Sequence, residues 1–175
     1  MGARWRFTYP HVELRLAPIA LVALALQLLA IFGPLGSDDL PRRVLMIVSY
    51  LALMAFVALN VRRPSIVVIG AGVLLNFLPI AANGGLMPIT PETLEKTGDI
   101  PEDARVGEWV EGTKDVLLER EDVRLYALSD RLTGNHSPVR AFSIGDLIIL
   151  AGAVILSFDL LLPRPRRVTT RGDGP

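Results

Sequence analysis

The sequence predicts an all-α membrane protein with four transmembrane helices and a mixed, partly irregular extracytoplasmic segment between the third and fourth helices. Two observations concern composition. Of the 175 residues, 51% are hydrophobic, and the mean hydropathy is +0.43, which is too apolar for an ordinary soluble domain. The third observation is a set of four apolar runs, each long enough or nearly long enough to cross about 30 Å of hydrocarbon as a helix. We therefore expect residues 1–175 to form a single membrane domain.

The apolar runs define the predicted transmembrane spans, which are residues 16–33, 44–61, 65–82 and 144–162. The connections after the first and second runs are short, which is typical of helical hairpins. Residues 83–141 form a long polar segment instead, and residues 163–175 form a basic tail. The first run is followed by "GPLGSDD", which offers no small-residue cleavage site, so this run is predicted to be a retained span and not a signal peptide.

The positions of the basic residues predict the orientation in the membrane. Arginines gather near the amino terminus, in the "RRP" turn after the second run and in the "RPRRVTTR" tail. The positive-inside rule assigns these three sites to the cytoplasm. We therefore expect a multi-pass protein of the bacterial plasma membrane with both termini in the cytoplasm. The tail residues Arg164, Arg166 and Arg167 are expected to contact anionic lipid headgroups.

Composition also argues against several classes of function. The formal net charge of +0 does not indicate a nucleic-acid-binding protein. The chain has no cysteine, so it has neither a disulfide nor a thiolate metal site. The two histidines, His11 and His136, are far apart in the sequence, and we predict no metal site and no cofactor.

The third span carries polar and small residues at intervals of three, four or seven positions, which places them along one narrow stripe of a helix. These residues are Ser65, Gly72, Asn76, Pro79 and Asn83. One interpretation is a polar lining for a site near the outer surface. The other is helix packing through small residues and interhelical amide hydrogen bonds.

The stretch "ANGGLMPITP" ends the third span. Asn83, Gly84 and Gly85 permit a left-handed turn, and exposed backbone N–H groups there can bind an oxyanion or a ligand carbonyl. A helix C-cap followed by proline accounts for the same residues. In the segment that follows, "PEDARVGEWVEGTKDVLLERED" predicts a short helix and "DVRLYAL" a strand.

The fourth span begins at "AFSIGDLIILAGAVIL", with Asp146 near the edge of the hydrocarbon layer. In one interpretation Ser143 and Asp146 form a capping box at the start of the helix. In the other, Asp146 pairs with Asp130 of "LSDRL", because two carboxylates that share a proton can activate water. Arg131 or Arg140 is then expected to balance the surplus charge of the pair.

The combination of "GVLLNFLPIAANGGLMPI", "LSDRL" and "FSIGDLIILAG" resembles an uncharacterised bacterial family of four-span membrane proteins, described only as a domain of unknown function. The resemblance covers the whole chain, and "NGGLMP" and "FSIGD" are its most specific parts. It implies a membrane location and no known activity.

The chain is also similar to lipoprotein signal peptidase, a family with four spans, an Asp-Arg pair ahead of the fourth span and an F-N-x-A-D signature at its start. Asp130 and Asp146 occur in the order of that family's catalytic dyad, and Phe142 matches the first signature residue. Ser143 stands in place of the signature's Asn and Gly145 in place of its Ala. This similarity implies hydrolysis at the membrane surface.

The main functional prediction is a small polar ligand- or partner-binding site at the outer mouth of the helix bundle. Its predicted binding residues are Asn76, Asn83, Gly84, Gly85, Arg131 and Ser143. One alternative is an intramembrane aspartyl hydrolase that uses Asp130 and Asp146 as catalytic residues. A further alternative is a transporter subunit or membrane assembly factor, and the sequence leaves open whether the protein is an enzyme.

Overall fold

The computed structural model describes residues 3–8, 13–36, 38–98, 104–133, 141–162 and 164–169. Within this part of the chain, α-helices account for most of the ordered structure. The elements in chain order are β1 (Ala3–Thr8), α1 (Ala17–Phe32), α2 (Leu40–Leu59), α3 (Pro64–Ala82), β2 (Met87–Ile89), α4 (Pro91–Thr97), β3 (Asp115–Leu117), a 3-10 turn (Tyr126–Leu128), α5 (Ile144–Leu161) and β4 (Arg164–Thr169).

Three helices, α2, α3 and α5, are long and apolar enough to cross a membrane. The first predicted span forms α1, which is apolar but has only 16 residues. At 1.5 Å per residue it measures about 24 Å, less than the hydrocarbon thickness of about 30 Å. It is short because Gly33 and Pro34 follow Phe32 directly, and the residue before a proline disfavours the helical conformation. The structure thus confirms three of the four spans by length and composition.

The helix α2 begins at Leu40, ahead of residue 44, where the second span is predicted to start. The side chain of Asp38 accepts a hydrogen bond from the Leu40 N–H at 2.9 Å, and Pro41 suits the first helical turn. The helix therefore starts before the apolar run and includes Arg42 in its first turn. The guanidinium of Arg42 donates to the carbonyl of Ala30 at 2.7 Å, so a charged residue caps the last turn of α1.

The helices pack in the order α1, α2, α3, α5. The helices α3 and α5 approach most closely through glycines: a Cβ on Gly72 would lie 2.6 Å from the carbonyl oxygen of Gly145. Gly152 lies against Ile69 in the same way, with its Cβ position 2.8 Å from the Ile69 nitrogen. Large apolar side chains on the outer helix faces remain exposed, as expected of surfaces that contact lipid; examples are Leu21, Leu150 and Phe158.

The described part of the segment between α3 and α5, residues 83–98 and 104–133, is here called the cap. Its strand β2 pairs in parallel with β3, and Ile89, Leu94, Val110 and Leu117 form a small apolar core. The cap therefore has the predicted mixed structure, but β3 and turns occupy the region of the predicted helix. A turn and the 3-10 turn replace the predicted strand "DVRLYAL".

The strands at the two ends of the chain, β1 and β4, pair in an antiparallel ladder, with Arg6 opposite Arg166. The two ends of the described chain therefore lie at the same end of the bundle. This arrangement agrees with an even number of spans. The side of the membrane on which the ends lie stays a prediction.

Candidate binding site between the cap and the bundle

A lysine of the cap lies at the centre of the most polar cluster in the described part of the chain. The ammonium of Lys114, just ahead of β3, lies 2.8 Å from Oδ2 of Asp146 on α5. The same ammonium lies 3.4 Å from Oδ2 of Asp130 in the cap. The two predicted catalytic aspartates therefore contact one cation, and the separation of these two oxygens cannot exceed the sum of the two distances.

Asp146 is oriented by the start of its own helix. Its carboxylate accepts the Ser143 N–H at 3.0 Å, and its own N–H donates to the Ser143 hydroxyl at 3.1 Å. The predicted capping box is therefore present. The capping box and the contact with Lys114 coexist, because a carboxylate has enough lone pairs for both.

Asn76 connects α3 to this helix start. Its amide nitrogen donates to Oδ1 of Asp146 at 2.6 Å, and its amide oxygen accepts the Ser143 hydroxyl at 2.6 Å. Both Asn76 and Ser143 are fully buried. The buried stripe of α3 thus uses small residues and an interhelical amide, as in the packing interpretation, and it also forms one wall of the polar cluster.

The cluster has more acceptors than donors. Both carboxylate oxygens of Asp130, and Oδ1 of Asp115, are buried without a hydrogen-bond partner in the described part of the chain. The ion pair with Lys114 balances charge at Asp130 but does not supply a well-aligned hydrogen bond. Because buried polar atoms almost always have partners, these oxygens are acceptors that a further hydrogen-bond donor can satisfy.

Burial sets the protonation states of the cap residues. Burial raises the pKa of Asp130 to about 6, although the Lys114 ammonium opposes this change. Burial, reinforced by the charge of Asp130, raises the pKa of Asp115 well above its usual range. Burial alone would lower the pKa of Lys114, but Asp130 and Asp146 raise it well above its ordinary value. At neutral pH Asp130, with a pKa of about 6, is therefore largely ionised beside the ammonium of Lys114.

Three residues in and near the cluster were not predicted from the sequence, namely Lys114, Asp115 and Tyr50. Tyr50 lies on α2, is 5% exposed and has its ring centroid 6.3 Å from that of Phe77 on α3. A tyrosine inside an apolar span is a usable signal, because its hydroxyl needs a partner there. Lys114 and Asp115 carried no such signal, since they occur in a stretch that is charged throughout.

Four predicted binding residues lie elsewhere. Asn83 holds the cap, because its amide donates to the Arg124 carbonyl at 2.8 Å and accepts the Arg124 N–H at 2.9 Å. The Gly84 carbonyl accepts from Arg43 at 3.0 Å. Gly85 adopts a φ of 105°, and a Cβ there would lie 2.9 Å from the Cβ of Arg43.

The fourth is Arg131, an exposed residue whose guanidinium lies 5.9 Å from the centroid of the Tyr126 ring. Within the described part of the chain, the hydrogen bonds and ring contacts of these four residues do not reach Lys114. Their assignment as binding residues stays a prediction. In the structure, Gly84 and Gly85 form the turn after α3, and Asn83 attaches the cap to the end of this helix.

The geometry limits the chemistry of the cluster. Among the described residues, no group of three or more His, Cys, Asp or Glu side chains is arranged to hold a metal ion. The accessible edge consists of Asp146, whose side chain is 31% exposed, and Lys114, at 20%. A molecule that approaches this edge meets mainly carboxylate oxygens, so the site favours hydrogen-bond donors and cations.

The family model of a family of unknown function, DUF5317, matches residues 11–158. No curated protein matches the chain, and no solved structure matches it.

Proposed function

We propose that this chain, which belongs to the family of unknown function DUF5317, is an integral membrane protein that binds a small ligand at the cluster around Lys114. The ligand would carry ammonium or hydroxyl donors. The observation that supports this proposal is the surplus of buried acceptors on Asp130 and Asp115. An unpaired buried acceptor costs about 1–3 kcal/mol, so a ligand that supplies donors gains affinity from the site as it stands.

The position of the cluster supports a ligand at the membrane surface. Asp146 lies in the first turn of α5, where a spanning helix meets the interface between hydrocarbon and water. The partly exposed carboxylate of Asp146 already accepts from Asn76, Lys114 and the Ser143 N–H. Since a carboxylate has about four acceptor positions, one remains for a ligand donor. A primary amine with a hydroxyl group, the chemistry of an aminoalcohol headgroup, fits this requirement.

The test uses ethanolamine as the probe and the thermal unfolding of the full chain in detergent as the readout. Ethanolamine at a hundred times its Kd should stabilise the wild type by about 2.7 kcal/mol. Choline should stabilise it less, because its quaternary nitrogen has no N–H to donate. The Asp146→Asn variant should lose the effect, whereas Asp122→Asn, which removes an exposed cap charge, should keep it. Equal shifts in wild type and Asp146→Asn, or no shift with either amine, would contradict the proposal.

A second candidate function is aspartyl hydrolysis, and the contact of both Asp130 and Asp146 with Lys114 favours it. In this scheme Asp130, with a pKa of about 6, exchanges a proton with a water molecule while Asp146 stays ionised. The ammonium of Lys114 contacts both carboxylates, where hydrolysis would need a water molecule. This contact therefore supports ligand binding more strongly than hydrolysis. Asp130→Asn and Asp146→Asn should each abolish cleavage of a membrane-embedded peptide while the variants still fold. Cleavage that survives either change would exclude this chemistry.

We further propose that the protein lies in the bacterial plasma membrane with four spans and both termini in the cytoplasm. The pairing of β1 with β4 and the basic residues of the terminal regions and the turn after α2 support it. Because the chain has no cysteine, single cysteines report topology without background. In intact cells, Glu111→Cys in the cap should react with a membrane-impermeant maleimide, and Val61→Cys in the turn should not. The reverse pattern would invert the topology.

A further inference from the structure

A pocket lies at the end of the bundle where α2 meets α3, and none of its lining residues belongs to the Lys114 cluster. Its volume is about 500 Å³. Its lining includes three arginines, one acidic residue and two apolar residues, namely Arg15, Arg62, Arg63, Glu13, Leu59 and Val61. The pocket thus combines an excess of positive charge with an apolar wall.

The pocket is built by contacts between the turn and the segment that precedes α1. The side chain of the buried Asn60 accepts the Arg15 N–H at 2.8 Å and donates to the Arg15 carbonyl at 2.9 Å. The guanidinium of Arg63 donates to the Glu13 carbonyl at 3.1 Å. These bonds fix the backbone of residues 13–15 against the turn, so that both walls of the pocket are held in place before any ligand arrives.

The three arginines of the pocket carry more positive charge than its one acidic residue, Glu13, can balance. No ion pair joins the guanidinium groups of Arg15 or Arg62 to a carboxylate of any residue that the structure describes. Arginine donors match phosphate oxygens in geometry and charge. Leu59 and Val61, 42% and 54% exposed, lie beside them at the helix end, where an acyl chain of a lipid would begin.

From these observations we propose that the Arg15–Arg62–Arg63 pocket binds the phosphate group of an anionic phospholipid. The guanidinium groups hold the phosphate, and the exposed apolar wall contacts the first part of an acyl chain. Inorganic phosphate shares the charged half of this chemistry but not the apolar half. Glu13 opposes the anion, so the pocket also contains a residue whose neutralisation should strengthen binding.

The test measures phosphatidylglycerol binding to the full chain by native mass spectrometry in detergent, with phosphatidylcholine as the neutral comparison. Each of Arg15→Ala and Arg62→Ala should weaken phosphatidylglycerol binding about fivefold. Both side chains are exposed and the bonds to Asn60 use the backbone of Arg15, so the variants should fold. Glu13→Gln should strengthen binding, and Arg105→Ala, an exposed arginine of the cap, should leave it unchanged.

Addition of inorganic phosphate separates the two sources of the phosphate group. Retention of phosphatidylglycerol in the presence of phosphate supports a lipid site. Displacement, with the same arginine dependence, supports a site for free phosphate. Wild-type affinity in the Arg15→Ala/Arg62→Ala double variant, or equal binding of phosphatidylcholine in all variants, would overturn the proposal.

Discussion

The ammonium of Lys114 in the cap lies 2.8 Å from the carboxylate of Asp146 at the start of α5. The two residues are 32 positions apart in the sequence, so the ion pair fixes the cap to the helix bundle. Asp130 shares the same ammonium. Lys114 therefore balances the charges of both carboxylates, and its substitution should change both the stability of the protein and ligand binding.

Lys114→Met should destabilise the protein by about 3 kcal/mol, because removal of one member of a buried ion pair leaves the other without its partner. Protonation of Asp130 should recover part of this loss at low pH. Thermal unfolding in detergent measures the effect. Lys96→Met is the matched control, since Lys96 pairs with Glu92 on the exposed surface of α4, and it should cause no measurable change. Similar stability of the two variants would show that Lys114 does not hold the cap.

Asn76→Ala should cost about 1–3 kcal/mol, because it removes one donor to Asp146 and one acceptor for Ser143 within a buried interface. Ser143→Ala should cost about 1 kcal/mol through loss of the helix cap. The two changes share a hydrogen bond, so the double variant should lose less than the sum of the single variants. Strict additivity would contradict the interhelical connection.

The pH dependence of stability should reflect Asp130. Its pKa is raised by burial from 3.8 to about 6, so between these values the folded state binds more protons than the unfolded state. Stability from this group therefore increases as the pH falls from about 7 to about 4, by at most about 3 kcal/mol. The difference in stability between wild type and Asp130→Asn, measured by denaturant unfolding across this range, isolates the contribution. A difference that does not vary with pH, or varies in the opposite direction, would refute it.

Gly72→Ala should destabilise the contact between α3 and α5 by about 1–3 kcal/mol, because the new methyl group would overlap the Gly145 backbone. Ala71→Leu adds a larger group to the exposed side of the same helix and should have little effect. Thermal unfolding of the two variants distinguishes a packed interface from a loose one. Equal stability would indicate that the helices are farther apart.

Hydropathy predicted the long helices well, because a helix that can span a membrane requires a long run of consecutive apolar residues. The third and fourth spans agree with α3 and α5 to within one residue at each end. The helix α2 extends beyond its apolar run, because Asp38 accepts the Leu40 N–H and Pro41 suits the first helical turn. The structure of the cap could not be predicted from local patterns. Its two strands have only three residues each, and they pair although they are far apart in the sequence.

The site shows the same division between local and distant signals. Asp130, Asp146, Asn76 and Ser143 were named from local motifs, and the structure places them together around a single cation. That cation, Lys114, was missed because nothing near it in the sequence indicates burial. Asn83, Gly84 and Gly85 have the conformations expected of a helix end, and their contacts attach the cap and α2 to that end.

The most direct test of the account is a double-mutant cycle between Lys114→Met and Asp146→Asn, with the free energy of unfolding as the readout. We predict a coupling energy of at least about 1 kcal/mol, since each single change removes the same contact between Lys114 and Asp146, which the double change can remove only once. Additive effects of the two changes would contradict the ion pair and, with it, the binding site built around Lys114.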